Sequence, residues 1–183
     1  MTRFPDVRST LSRRTARGFT LIEILIVVII LGILAAIVIP QFTNASKEAK
    51  QSSLVTMVQS LRSQIALFKL QHNDMLPGAA PLKDTGGSFT EATFWDQLTL
   101  FSKLDGTTAA AKNTATGFVY GPYMQSIPAN PLVTPANASK VNNAVFSATA
   151  AAGAGYGFIY DYNDGSGSGK VWGVDASDNM INQ

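Results

Sequence analysis

The hydrophobic positions of this chain form one long run near the N-terminus. The run extends from Phe19 to Ile39, 21 residues with a single charged side chain, Glu23. As an α-helix it would be about 31 Å long at ~1.5 Å per residue, which matches the apolar core of a bilayer. It exceeds the h-region of a secretory signal peptide, about 7 to 15 residues, and no A-x-A-like cleavage site closes it. We therefore predict a retained membrane-spanning helix.

From Gln41 to Gln71 the pattern becomes that of an amphipathic helix. This stretch contains neither Gly nor Pro, and its apolar residues recur at spacings of four and three, as on one helix face: Leu54, Val58, Leu61, Ile65 and Phe68. The two stretches are predicted to form one helix from about Thr20 to Gln71, half in the membrane and half packed on a domain. His72 follows, where a helix C-terminus favours a cation, and we expect no metal or catalytic role for it.

The remainder of the chain predicts a small domain of helix and sheet. A capping box at Ser88-Phe-Thr-Glu91 precedes a short helical stripe that ends at Asp105-Gly106. Strand-like segments follow at residues 117–120, 141–149, 156–162 and 170–175. The last two are predicted to pair as a hairpin across a turn rich in Gly and Ser. The expected fold class is therefore α+β, with a long N-terminal helix packed on a small antiparallel sheet.

The composition excludes several kinds of site. The 183 residues include no cysteine and one histidine, which excludes a disulfide scaffold, thiolate metal sites, a cysteine nucleophile and a site built from several histidines. The sequence contains no P-loop and no G-x-S-x-G motif. We therefore expect a protein that is not an enzyme.

The positive charge is concentrated before the apolar run. The first 18 residues carry one acid, Asp6, and five arginines: Arg3, Arg8, Arg13, Arg14 and Arg17. This leader has a charge of +4, which leaves 9 basic and 11 acidic side chains, a charge of −2, from Phe19 onward. No basic patch remains for a nucleic-acid backbone, so we expect no nucleic-acid partner. The positive-inside rule places the N-terminus in the cytoplasm and the residues after Pro40 outside it.

Two residues are unusual for a plain membrane anchor. Glu23 lies within the apolar run, where a charge at mid-bilayer costs ~2.5 to 3.5 kcal/mol and less near a helix end. Pro40 follows Gly32 where the helical pattern continues, and proline removes a backbone hydrogen bond and crowds the carbonyl four residues back. We therefore predict a kink or local melting of the helix at Gly32 and Pro40.

The segment Arg17-Gly-Phe-Thr-Leu-Ile-Glu23, followed by an aliphatic run that ends at Pro40, resembles the prepilin leader of type IV pilins and type II secretion pseudopilins. This chain shares with that family a cationic leader, Gly before Phe, Glu as the fifth residue of the mature chain and Pro as its twenty-second. The resemblance implies that a prepilin peptidase cleaves between Gly18 and Phe19 and N-methylates Phe19. It also implies a helical filament in which Glu23 sets the register of each incoming subunit by pairing with its new amine.

A second stretch, residues 121–132, has the sequence Gly-Pro-Tyr-Met-Gln-Ser-Ile-Pro-Ala-Asn-Pro-Leu. It resembles the Gly-Tyr…Pro-x-Asp/Asn-Pro block of major, G-type pseudopilins, although Leu132-Val133 stands where Trp-Gly often follows in that family. Its three prolines favour an extended path, and an ordinary proline-rich loop is the alternative interpretation.

G-type pseudopilins bind calcium in a C-terminal loop, and this chain has hard oxygen ligands in the corresponding region: Asp161, Asn163, Asp164, Asp175 and Asp178. Their spacing does not fit an EF-type loop, because counting from Asp161 places Gly165 fifth and Trp172 twelfth. We expect no cofactor, with calcium as the alternative to a role of these residues in turns.

These patterns divide the chain into four expected regions. Residues 1–18 form a cleaved leader, 19–40 a transmembrane and assembly helix, 41–72 its amphipathic half, and 73–183 a globular α+β domain with variable loops and a C-terminal hairpin.

The resemblance implies a structural subunit of a type II secretion pseudopilus. Such a subunit spans the bacterial inner membrane once, carries its C-terminal domain in the periplasm and polymerises to drive protein export. The implied partners are further copies and minor pseudopilins, the prepilin peptidase, an assembly platform and ATPase, and the secretin. Two alternatives are a type IV pilin for adhesion, motility or DNA uptake and a signal-anchored periplasmic domain that forms no filament.

Overall fold

A computed structural model describes residues 18–79, 88–143, 155–162, 167–177 and 179–181. The chain divides into two compact units, Met1–Thr43 and Asn44–Gln183. The described elements are, in chain order, α1 (Leu21–Gln71), α2 (Glu91–Thr99), β1 (Phe101–Ser102), β2 (Thr108–Ala109), a 3-10 turn (Thr114–Thr116), β3 (Val141–Asn143), β4 (Phe158–Tyr160), β5 (Val171–Val174) and β6 (Met180–Ile181). The predicted α+β class, with a long N-terminal helix and a small C-terminal sheet, is confirmed.

The second half of α1 supplies one side of the core. The five apolar residues predicted to share a face are all buried: Leu54, Val58, Leu61, Ile65 and Phe68. They form one cluster with Phe158 and Tyr160 of β4 and Val171 of β5. A Cβ atom at Gly173 would lie 2.6 Å from Leu54 Cδ2, so the missing side chain allows the helix to approach the sheet closely.

The main sheet has four strands in the order β3-β4-β5-β6. β4 and β5 are antiparallel, with Phe158 opposite Gly173, which confirms the predicted hairpin. β3 runs parallel to β4, with Val141 opposite Phe158, so the sheet is mixed and not wholly antiparallel as expected. The 14 residues between Asn143 and Phe158 are long enough for the crossover that a parallel pair requires. The rest of the predicted strand, residues 144–149, lies outside the described residues.

The start of α2 differs from the prediction. Its N-cap is Thr90, whose Oγ1 accepts a hydrogen bond from the Thr93 N–H at 3.2 Å. The predicted capping box from Ser88 to Glu91 is therefore wrong, because Glu91 is already the first helical residue. Both Ser and Thr are good caps, so the local sequence alone does not choose between them.

The end of α2 also differs. The helix stops at Thr99, and Leu100 is extended with φ −112° and ψ 174°. The helical stripe predicted to reach Asp105-Gly106 is therefore wrong. The carboxylate of Asp105 accepts the Thr107 N–H at 3.0 Å, and Gly106 has a φ of +78°. Asp105 and Gly106 thus form the turn between β1 and β2, and β1 takes the residues that would have continued the helix.

The predicted strand at residues 117–120 is present only as two isolated bridges. Phe118 pairs with Asn113, and Tyr120 pairs with Ser102. Gly117, with φ +89°, ends the 3-10 turn just before them. The segment is held beside β1 but does not form a regular strand.

The single histidine is a core residue. His72 is fully buried and its ring stacks on Phe68 with centroids 3.8 Å apart. Its Nδ1 lies 2.9 Å from the Phe68 carbonyl oxygen and its Nε2 lies 3.1 Å from Ser102 Oγ. Because a carbonyl only accepts, Nδ1 carries the proton and Nε2 accepts from the Ser102 hydroxyl. Burial lowers the pKa of His72, against the opposing effects of the Phe68 and Lys103 backbone and the charge of Asp105. The interpretation as a helix-end cation was wrong.

The burial of His72 predicts a loss of stability at mildly acidic pH. Its folded-state pKa lies below the unfolded value of about 6.5, so the unfolded chain binds the proton first. The contribution of neutral His72 to the free energy of unfolding is therefore complete above about pH 6.5, and it declines as the pH falls below that value. We expect the melting temperature of the detergent-solubilised protein to fall between about pH 7 and pH 5.

The control for this experiment is His72→Gln. No other histidine is present to titrate in this range, so the variant should be less stable at neutral pH but should have a flatter dependence on pH. An equally steep dependence in the variant would contradict the assignment to His72.

Candidate functional site

The segment predicted for processing, Gly18 and Phe19, lies just before the first residue of α1. Gly18, Phe19 and Thr20 are not helical, and α1 begins at Leu21. Apart from its chain neighbours, no described residue has an atom within 4 Å of the position that a Cβ of Gly18 would occupy, and Phe19 is 83% exposed. The peptide bond between Gly18 and Phe19 thus lies outside the helix and joins two exposed residues.

Thr20 and Glu23 form a capping box at the start of α1. The Thr20 N–H and Oγ1 each donate to Glu23 Oε2 at 2.8 Å, and Thr20 Oγ1 accepts from the Glu23 N–H at 3.2 Å. These bonds satisfy groups that a helix N-terminus otherwise leaves unpaired. We did not predict this second role of Glu23, although the spacing T-x-x-E before an apolar run is its signal. One oxygen of the carboxylate, Oε1, has no hydrogen bond within the described residues.

The apolar half of α1 is exposed along its whole length. Every residue from Leu21 to Ile39 is exposed in the isolated chain, in contrast to the second half of the same helix, where one face is buried. The helix is long and apolar enough to cross a membrane, with a mean hydropathy of 3.3 in its most apolar window. An apolar surface of this size in a monomer indicates a membrane or a partner surface.

Helix α1 continues without a break through Gly32 and Pro40. Gly32 has open space where a Cβ would lie. One turn after Ile39, the Thr43 hydroxyl donates to the Ile39 carbonyl at 3.1 Å, an arrangement that often accompanies bending. The kink or local melting at Gly32 and Pro40 stays a prediction.

Hydrogen bonds from Asn130, which is 1% exposed, connect the proline-rich block at residues 121–132 to the sheet. Its Nδ2 donates to the carbonyl oxygens of Gly157 and Val174, both at 2.7 Å, and its Oδ1 accepts from the Leu132 N–H at 2.9 Å. The amide therefore connects the block to the start of β4 and the end of β5. The resemblance pointed to this residue, but nothing in the local sequence shows that it is buried.

The two described candidates for calcium ligation are both engaged in turns. Asp161 Oδ2 accepts from the Ser168 N–H at 2.9 Å and from its hydroxyl. Asp175 Oδ1 accepts from the N–H groups of Ser177 and Asn179, both at 2.8 Å. Asn163, Asp164 and Asp178 lie outside the described residues. Within the part of the chain that the structure describes, no group of three or more His, Cys, Asp or Glu residues is arranged to hold a metal.

Comparison with known proteins identifies the N-terminal segment. A family model described as a prokaryotic N-terminal methylation motif matches residues 13–39, which include Gly18, Phe19 and Glu23. No solved structure matches this chain.

Several curated proteins are similar to this chain. A type II secretion system core protein G from Dickeya chrysanthemi is 38% identical over 60 residues, which cover 33% of this chain and 39% of that protein. A fimbrial protein from Pseudomonas aeruginosa is 37% identical over 101 residues, 51% of this chain and 65% of that protein. Both matches thus span less than two thirds of the relative's own length.

A third relative is matched over a larger share of its length. The major component of the type IV narrow pilus of Thermus thermophilus is 32% identical over 80 residues, 44% of this chain and 69% of that protein. The methylation motif, the long exposed apolar helix and these relatives all indicate the same family. The chain therefore belongs to the family of type IV pilins and type II secretion pseudopilins.

Proposed function

We propose that this protein is a structural subunit of a type II secretion pseudopilus. In this proposal a prepilin peptidase cleaves the chain between Gly18 and Phe19 and methylates the new N-terminus. The subunit is then polymerised from the inner membrane, and the growing filament drives protein export through a secretin. The observation that carries the proposal is the exposed apolar first part of α1, which lies within the matched methylation motif at residues 13–39.

The exposed apolar surface of α1 must be shielded from water both in the membrane and in the filament. Lipid covers it while the subunit is stored, and the corresponding helices of other copies cover it in a filament. Helix–helix contacts do not gain from the hydrophobic effect while both helices remain in lipid. Extraction therefore needs an energy source outside the subunit, and the implied assembly ATPase and platform protein supply it.

Glu23 is the residue that gives such a filament its register. A carboxylate buried among apolar helices is stable only with a partner of opposite charge and hydrogen bonds. Cleavage before Phe19 creates a positive amine, and the amine of an incoming copy can pair with Glu23 of a copy already in place. The oxygen Oε1, which the capping box leaves free, is suited to accept from that amine.

The charge distribution supports a single orientation in the membrane. The arginine-rich leader holds the N-terminus in the cytoplasm, where the peptidase and the ATPase act, and places the domain after Pro40 in the periplasm. The minor pseudopilins and the secretin are then accessible to the domain, and no catalytic role is assigned to the subunit.

A type IV pilin is the second candidate. The match to the fimbrial protein extends over 101 residues, compared with 60 for the core protein G. Deletion of the gene distinguishes the two functions. Loss of enzyme secretion with normal motility supports the pseudopilus, whereas loss of twitching and surface fibres with intact secretion supports the pilin.

Processing is tested by mass spectrometry of the N-terminus of the purified protein. We expect an N-terminal methylphenylalanine derived from Phe19, because the scissile bond lies in an accessible segment outside the helix. A strain that lacks the peptidase serves as the control and should retain Met1. An intact Met1 in the wild-type strain would instead indicate a plain signal anchor and overturn the proposal.

A further inference from the structure

Residues 101–120 form a flap between α2 and the proline-rich block. The flap contains β1, β2, the 3-10 turn and the two isolated bridges. Every backbone–backbone hydrogen bond that these residues form within the described part of the chain joins two members of the flap. A Cβ atom at Gly121 would lie 2.7 Å from the Leu100 carbonyl oxygen, so the chain enters and leaves the flap at nearly the same point. The flap is thus a self-paired unit whose two ends lie side by side.

The flap contributes little to the apolar core. Within the described residues, none of its side chains belongs to the core clusters or packs against them as a partly buried hydrophobic residue. Of residues 101–120, only Ser102 and Gly106 are buried. Segments with few buried apolar contacts open locally at a lower free energy than the core of the same protein.

The two buried residues of the flap contact polar side chains outside it. Ser102 Oγ lies 3.1 Å from His72 Nε2, and the Gly106 carbonyl accepts from Gln97 Nε2 at 2.9 Å. Gln97 also bonds two backbone groups outside the flap, so it loses one bond of three when the flap moves away. The contact between Ser102 and His72 differs from this one because His72 titrates near neutral pH.

The bond between Ser102 and His72 requires a neutral imidazole. The Ser102 hydroxyl donates to Nε2 because Nδ1 carries the proton and donates to the Phe68 carbonyl. A second proton on Nε2 removes this acceptor and places a cation at a fully buried position. A buried charge without a partner of opposite charge is unstable.

The charged groups near His72 do not provide such a partner by direct contact. Asp105 acts on the ring through its charge, and its carboxylate accepts from the N–H and hydroxyl of Thr107 within its own turn. The Lys103 ammonium lies 4.6 Å from the centroid of the Phe118 ring. Lys69 and Asp74, on either side of His72 in the chain, pair with each other at 3.5 Å. The other groups that surround the imidazole are neutral rings: Phe68, Tyr120 and Tyr123.

We propose that residues 101–120 are an acid-released flap: when His72 takes up a second proton, the flap separates from the end of α1 and water reaches the imidazolium, while the helix–sheet core stays folded. Release of the flap is the least costly way to hydrate the ring, because the flap buries two residues whereas the opposite side of the ring is the core. This inference goes beyond the proposed function, since it concerns the subunit alone and holds for a pseudopilin or a pilin.

The direction of the pH dependence follows from the burial of His72. Burial lowers its pKa in the closed state, and in the open state the ring has its ordinary value of about 6.5. The open state therefore binds the proton first, and opening becomes more favourable as the pH falls below about 6.5.

Hydrogen exchange of the full-length protein in detergent, followed by mass spectrometry at pH 7 and pH 5, tests the proposal. After correction for intrinsic exchange rates, flap peptides should be less protected than residues 54–68 of α1 at both pH values. Protection of the flap should fall by up to about thirtyfold from pH 7 to pH 5, the limit set by an open-state pKa of about 6.5. In His72→Gln this dependence on pH should be absent.

Ser102→Ala provides a second test that leaves His72 in place. It removes the donor to Nε2, so the flap should lose about tenfold in protection at pH 7 while residues 54–68 keep theirs. Thr114→Ala is the matched control, because it removes an exposed hydroxyl from the same flap, and it should leave the protection of the flap unchanged.

Three outcomes would each overturn the inference. Equal protection of the flap and of residues 54–68 at pH 7 would show that the flap opens only when the whole unit unfolds. Flap protection that does not change between pH 7 and pH 5, or that changes equally in His72→Gln, would show that opening is not linked to His72. Normal flap protection in Ser102→Ala would show that the contact with His72 does not hold the flap. None of these results bears on filament formation, which is measured separately.

Discussion

Replacement of Glu23 by alanine is expected to leave the protein in the inner membrane and to abolish, or strongly reduce, filament formation. Insertion depends on the apolar run from Phe19 to Ile39, which the substitution makes more apolar. In the proposed filament, assembly depends on a carboxylate that can receive the amine of the next subunit in a dry environment. Membrane fractionation measures the first property, and electron microscopy with quantification of sheared filaments measures the second.

The structure supplies a sharper control than the alanine variant alone. Glu23 closes a capping box with Thr20, and glutamine at the same position can form that box but carries no charge. Glu23→Gln should therefore retain the helix N-terminus and still fail to assemble. Normal filaments from Glu23→Gln, together with their loss in Glu23→Ala, would show that the cap and not the charge is required. Normal filaments from both would overturn the role of Glu23 in assembly.

Replacement of Asn130 by aspartate is expected to destabilise the globular unit by about 3 to 5 kcal/mol at neutral pH, the cost of an uncompensated buried charge. The amide nitrogen of Asn130 donates to two carbonyl oxygens at 2.7 Å. A carboxylate has no donor and would place negative charge against both oxygens. Chemical denaturation of the full-length protein in detergent measures the change in the free energy of unfolding. The family block that residues 121–132 resemble contains Asp or Asn at this position, whereas the two bonds donated by Asn130 predict that this chain requires the amide.

The pH dependence of this variant gives a further check. Burial beside two carbonyl oxygens should raise the pKa of the new carboxyl group above its unfolded value of about 3.9. The folded state is then least penalised below that value, where the group is protonated and can donate one bond, and the penalty should grow as the pH rises.

Asn113→Asp is the matched control for Asn130→Asp. The Asn113 side chain accepts from the Thr116 N–H through Oδ1 at 3.2 Å in an exposed turn, and aspartate can accept in the same way. This variant should change stability by no more than about 0.5 kcal/mol. Equal effects of the two substitutions would show that the double donation by Asn130 does not matter.

The elements that were predicted correctly are those whose signal is local and long. The apolar run and the four-three spacing of Leu54 to Phe68 together specify α1 over more than ten helical turns, and the hairpin of β4 and β5 has aromatic strands on both sides of a Gly-rich turn. The errors occurred where two local conformations of the chain have similar free energies. Thr90 caps α2 in place of Ser88, and Phe101 joins a short hairpin in place of continuing the helix.

The buried polar side chains were not predictable from their neighbours in sequence. Gln97 is fully buried, and its amide donates to the carbonyls of Ala79 and Gly106 at 2.7 and 2.9 Å and accepts from the Gly78 N–H at 2.7 Å. A glutamine on a short helix has the sequence signature of a surface residue. Only the fold brings three backbone groups from two other segments within its reach, as it does for His72 and Ser102.

The sequence by itself determined the long apolar run, the methylation motif and the face of α1 that enters the core, and it predicts the orientation of the chain in a membrane. These properties follow from apolar runs, charge and helical spacing, which act between residues within a few turns of one another. Only the tertiary structure decided which polar groups are buried and why an amide is expected at Asn130. These features depend on contacts between residues far apart in the chain, such as the 44 positions that separate Asn130 from Val174, and such contacts exist only once the helix and sheet have packed.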